Sequence, residues 1–126
     1  MKNDWYSKAE NFIKIRRKKS FAFKPRDKFS EIWHNIKQRC NNPNNPSYKY
    51  YGGRKIGFLI TQEDIIRLWF RDNASSMKRP SIDRIDNNGH YTYQNCRFIE
   101  LSNNIKKSNL DRKSSRKVVN YLFLNS

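Results

Sequence analysis

Ser81-Ile82-Asp83-Arg84-Ile85-Asp86-Asn87-Asn88-Gly89-His90-Tyr91-Thr92-Tyr93-Gln94-Asn95-Cys96-Arg97-Phe98-Ile99 is the stretch that decides the fold. Residues 81–85 alternate as a strand does. Asp86-Asn87-Asn88-Gly89 is turn chemistry, because Asn, Asp and Gly accept the backbone conformations that turns require. Cys96 to Ile99 reads as a second strand, and Ser102 is the residue type that caps a helix, here one carrying Asn103, Asn104 and Ile105.

A hairpin packed on a helix brings Asp83 of the first strand and Asn104 of the helix to one spot. One carboxylate and one amide oxygen are hard ligands that leave room for waters and phosphate oxygens, as Mg²⁺ sites in phosphoryl chemistry do. An ion held there stabilises developing charge and a leaving 3′-oxygen during phosphodiester hydrolysis. A plainer reading stands beside this one. Asp83 and Asp86 also suit a hairpin that only shapes a turn, and Asn103 and Asn104 also suit a solvated helix face, or a register shifted by one.

Upstream, Thr61 and Asp64 have the spacing of a capping box, and Ile65, Leu68 and Trp69 give the following helix a buried face. Ile56 to Ile60 reads as a short strand, preceded by a sharp bend at Gly52-Gly53-Arg54 and by Tyr48, Tyr50 and Tyr51. Asn41 to Ser47 is a turn-rich loop. Before it, a helix capped by Ser30 runs to about Arg39, with Ile32, Trp33, Ile36 and Cys40 on one stripe. Residues 4–19 form an amphipathic helix around Trp5, Ala9, Phe12 and Ile13, ending in Lys14-Ile15-Arg16-Arg17-Lys18-Lys19. Phe21 to Pro25 reads as a linker and Asn73 to Pro80 as a basic connector. After the hairpin unit come a basic stretch, Asp111 to Arg116, and an apolar one, Val118 to Leu124, that suits a terminal strand.

The 126 residues amount to one domain. Lys and Arg number 27 against 11 acidic residues, a formal charge of +16, which attracts phosphates and makes binding salt-dependent. Aromatics at 14% argue against wholesale disorder despite the charge. No run approaches a membrane span, and the charged start is no signal peptide, so a cytoplasmic setting without membrane contact is expected. Cys40 and Cys96 lack paired-ligand spacing; with His34 and His90 they give little support to a zinc site.

Three segments lie in register: Ile32 to Pro43, Tyr50 to Ile56, and Ser81 to Phe98. Together they resemble the HNH endonuclease family, and most of all its small phage-type members with a DRID-N-x-G-x-Y-x-x-x-N-C-R-W signature. The resemblance covers roughly residues 30–108. It implies an α+β fold with a ββα-metal (His-Me finger-like) core and flanking helices. The nuclease domain would span 26–110, between a basic N-terminal helix or arm (1–25) and a basic tail (111–126). It further implies a divalent-metal-dependent DNA endonuclease, of phage or mobile-element type and acting in the cytoplasm of its bacterial host cell. One Mg²⁺ or Mn²⁺ would be held by Asp83 and Asn104, and the products would be 5′-phosphate and 3′-hydroxyl ends. Asn95 matches the family's central Asn, whose side chain holds the loop between the strands.

One departure matters. The family's general base is a His directly after the metal-binding Asp, and here Arg84 stands in that place. An Arg cannot act as a base, but it can grip a phosphate bidentately. His34, Tyr51, His90 or the bound water unaided are the remaining ways to deprotonate the nucleophile. DNA contacts are expected from Arg16, Arg17, Lys18, Lys19, Arg39, Arg54, Arg97, Lys106 and Lys107. The rival readings are an HNH-derived DNA-binding protein whose activity has lapsed and an RNA-binding or ribosome-associated basic protein. A homodimer would be needed to cut both strands at once, and nothing in the sequence supports one.

Overall fold

Asp27, immediately outside the second helix, accepts the backbone N–H of Ser30 at 3.0 Å and so starts α2 (Lys28–Asn41). The cap expected at Ser30 therefore lies three residues earlier, and Ser30 is a buried first-turn residue. The computed structural model describes residues 4–22 and 26–110. Around α2 it contains α1 (Asp4–Ala22), α3 (Gln62–Arg71), β1 (Pro80–Arg84), β2 (Cys96–Glu100) and α4 (residues 101–110). Short 3-10 turns occupy Tyr48–Tyr50, Gly52–Arg54 and Ala74–Ser76. Residues 23–25 of the expected linker and the stretches 111–116 and 118–124 lie outside the described residues.

α3 organises the core. Its N-terminus is closed by the expected capping box, with the Asp64 amide donating to Thr61 Oγ1 at 3.0 Å and the Thr61 amide to Asp64 Oδ2 at 3.1 Å. Ile65, Ile66 and Leu68 are all wholly buried. Neighbours one residue apart point about 100° apart around a helix, so α3 must be covered on more than one side. α1, α2 and β2 provide that cover. Each such aliphatic side chain is worth about 1.5–3 kcal/mol on burial. Trp69 sits edge-on to Phe29 and Phe98, a core role as its stripe indicated.

α1 is docked rather than projecting. Ala9 and Ile13 are buried, Glu10 pairs with Arg67 at 2.7 Å, and Arg17 bonds Glu63 on α3. Arg16 donates to Asp27 at 2.8 Å and to Gln62 at 2.6 Å, tying α1 to both other helices.

β1 and β2 pair antiparallel, with Asp83 opposite Arg97 and Arg84 opposite Cys96. The strand expected over residues 56–60 is a single bridge between Phe58 and Tyr91, because only this short stretch meets the hairpin loop while Ile56 and Ile60 turn into the core. Gly52 is required by space: a Cβ there would collide with the Cys40 carbonyl and the Tyr48 ring. That close approach brings Tyr51 alongside the end of α2. The described chain is thus α+β, helices around a small two-stranded antiparallel sheet.

Candidate functional site

β1 is followed by an eleven-residue connection to β2 that Asn95 holds in shape. Its Oδ1 accepts the Asp86 amide at 2.9 Å, and its Nδ2 donates to the carbonyls of Asp86 and His90, both at 3.0 Å. All three side-chain bonds go to backbone, so Asn95 positions the loop and touches none of the cleft chemistry directly.

Asp83 and Arg84 are consecutive strand residues and therefore point to opposite faces, yet both are buried. On one face, Arg97 Nε reaches Asp83 Oδ2 at 2.9 Å, a consequence of the cross-strand register. From α4, Lys107 Nζ reaches Asp83 Oδ1, also at 2.9 Å. Asn104 and Lys107 are three residues apart, so they share a helix face, and that face is the one turned to β1. Asn104 Nδ2 donates to Ser81 Oγ at 2.9 Å and to the Ile82 carbonyl at 3.1 Å, while Asn103 is exposed. Of the two, Asn104 is therefore the one that faces β1.

On the other face, Arg84 lies between two phenol rings, its guanidinium carbon 5.3 Å from the Tyr51 centroid and 5.0 Å from that of Tyr91. Its Nη1 donates to the carbonyls of Asn87 at 2.7 Å and Gly89 at 2.9 Å. Burial pushes the Tyr91 phenol up to about 12, against the opposing pull of Arg39 and Arg84, so it stays protonated at neutral pH.

Arg39, Tyr51, Asp83, Arg84, Asn87 and Asn104 line one cleft of about 380 Å³. The structure thus brings together Tyr51, Asp83, Arg84, Asn104 and Arg39 from the expected set. It separates His34. That ring sits on an exposed face of α2, in a different hollow with Arg26 and Glu31, its Nδ1 2.8 Å from the carbonyl of Ser30 in its own helix. His90 is likewise outside the cleft, its Nδ1 accepting the Gly57 amide at 2.7 Å.

The remaining expected DNA contacts divide. Arg16 and Arg17 are spent on α1 docking, and Arg97 and Lys107 on Asp83. Arg54 braces the loop through Asn88 Oδ1 at 2.8 Å while staying exposed. Lys18, Lys19 and Lys106 are exposed. Tyr91 and Asn87 were missed as cleft residues. Their signal was only the pattern of the loop itself, since nothing local says that Tyr91 packs against Arg84.

The donor set suits a hard cation. Lys107 Nζ, a positive charge, already has around it Asp83 Oδ1, the Arg84 carbonyl at 2.6 Å and Asn87 Oδ1 at 3.5 Å. With its nitrogen committed to β1, Asn104 has its amide oxygen left as a ligand atom. Among the described residues no three His, Cys, Asp or Glu side chains gather as a metal cage, so an ion here would take most of its ligands from water and phosphate. Cys40 and Cys96 are buried core thiols; burial raises both and pushes Cys96 up to about 11.

No helix among the described residues is long and apolar enough to cross a membrane. Comparison with models of protein families, with curated proteins and with solved structures finds no match.

Proposed function

We propose that this chain is a divalent-metal-dependent DNA endonuclease of the HNH type, built on a ββα-metal core. The observation that carries the reading is the meeting of Asp83, Asn104, Arg84 and Tyr51 at one cleft between the hairpin and the helix that follows it. Asp83 and Asn104 would hold one Mg²⁺ or Mn²⁺, which when bound supplies neutralisation of charge at the scissile phosphate and at the departing 3′-oxygen.

The chain's own groups do the rest. Arg84, clamped through Nη1 and stacked on two rings, directs a fixed positive charge at a phosphate in the cleft. Tyr51 lines the same cleft as Asp83 and Arg84, and its hydroxyl would orient the attacking water there, whereas His34 lies in a different hollow. Water adds to phosphorus, its proton passing through solvent to the departing 3′-oxygen as that bond to phosphorus breaks, and 5′-phosphate and 3′-hydroxyl ends result. The net charge of +16 supplies sequence-independent grip on DNA.

A second reading has its own observation. Both carboxylate oxygens of Asp83 are engaged by Arg97 and Lys107, an arrangement that suits a DNA-binding protein whose cleavage has lapsed. Relaxation of supercoiled plasmid in Mg²⁺ or Mn²⁺ separates the two: the nuclease nicks, the lapsed protein binds and does not.

A further inference from the structure

Every half-buried or buried arginine among the described residues has a partner except one. Arg16, Arg67, Arg71 and Arg97 pair with carboxylates, and Arg84 donates to two carbonyls. Arg39, in the last turn of α2, makes no hydrogen bond or ion pair with any described residue. Its Nε is the single fully buried side-chain nitrogen or oxygen among those residues without a partner. An N–H removed from water without a partner is costly. Its guanidinium carbon lies 5.1 Å from the ring centroid of Tyr51, and the same ring carries Arg84 at 5.3 Å. Arg39 and Arg84 both line the cleft that holds Asp83.

We infer that Arg39 is an oxyanion-binding residue which receives a second backbone phosphate of the nucleic acid strand whose neighbouring phosphate lies at Arg84. The chemistry is specific. A guanidinium presents its N–H groups in a planar fork matched to two phosphate oxygens, and stacking on an aromatic face fixes the plane of that fork beforehand. Two guanidinium groups sharing Tyr51 set a spacing for two anions, which a flexible strand with one charge per nucleotide can meet. The inference rests on the nucleic-acid reading above but does not require cleavage.

The test measures binding of a fluorescent DNA duplex by anisotropy, in chelator so that no cutting occurs, over a series of salt concentrations. Arg39→Met keeps the apolar stem and removes the charge. It is expected to weaken binding roughly fivefold to tenfold and to lower the slope of log affinity against log salt by about one. Arg39→Lys is expected to keep the slope while losing part of the affinity, because a point charge replaces the fork. Equal affinity and slope for wild type and Arg39→Met overturn the inference, whether or not the wild type nicks plasmid. A wild type that never nicks but loses a unit of slope in Arg39→Met sinks the nuclease reading and leaves Arg39's role standing. Should Arg39→Met fail to fold, NMR of the wild type titrated with inorganic pyrophosphate decides. A shift of the Arg39 Nε–H resonance, assigned through Arg39→Lys, supports the inference, and a resonance that does not move overturns it.

Discussion

Lys107 Nζ stands 2.9 Å from Asp83 Oδ1 and 2.6 Å from the carbonyl oxygen of the next residue, Arg84. An ammonium at the end of one helical turn beyond Asn104 therefore neutralises a carboxylate that is only 4% exposed. The same oxygens that would hold a divalent cation are held by a side chain of the protein itself.

If Asp83 holds the proposed ion, Lys107 competes with that ion for its Oδ1. Lys107→Met removes the competing charge and keeps much of the side-chain volume. Calorimetric titration with Mn²⁺ in the absence of DNA is expected to give roughly tenfold tighter binding in this variant, a fraction of what one close unit charge is worth in a partly buried site. Unchanged Mn²⁺ affinity would mean that Lys107 and the ion do not share the site.

Asn95 determines whether the loop, and with it the carbonyl platform under Arg84, keeps its shape. Asn95→Ala removes three hydrogen bonds to backbone. A net loss of about 2–4 kcal/mol in urea unfolding is expected. A loss well below 1 kcal/mol would place the loop's rigidity elsewhere.

The docking of α1 weakens in acid. Burial alone would raise the Asp27 carboxyl, but the Arg16 hydrogen bond and the Ser30 amide outweigh it and hold the group below 3.8. Glu63 is held below 4.5, chiefly by the hydrogen bond from Arg17. Both carboxyls thus bind fewer protons folded than unfolded. Their contribution is complete above the ordinary carboxylate range and is lost as pH falls through the folded values. Thermal unfolding should show a midpoint insensitive to these groups from pH 7 to 5 and falling below about 4. Asp27→Asn, which keeps an N-cap oxygen, should flatten that fall; a parallel curve would remove Asp27 from the account.

Local chemistry was legible in the sequence, and distant pairing was not. Thr61 and Asp64 announce their capping box because both partners lie within four residues. The hairpin, its turn and the helix-borne Asn104 follow from patterns equally short in range. Ser30 was read as a cap because its side chain suits one, while Asp27, three residues earlier, does that work and also meets Arg16. Residues 56–60 have strand propensity, but a strand needs a partner of its own length, and the fold supplies one bridge. His34 follows a core tryptophan, yet which way α2 turns is decided by Phe29, Ile36 and Cys40 packing inward, and that leaves His34 outside. The pairing of Lys107 with Asp83 spans 24 residues and has no local signature.

Asp83 at the centre of a metal-assisted cleavage is tested most directly by one comparison. Wild type and Asp83→Asn are incubated with supercoiled plasmid in Mg²⁺ or Mn²⁺, and the salt dependence of DNA binding is measured on the same preparations. The account predicts nicking by the wild type alone, with binding of similar salt slope in both. Cleavage by Asp83→Asn at the wild-type rate, or binding without nicking by the wild type in either ion, would contradict it.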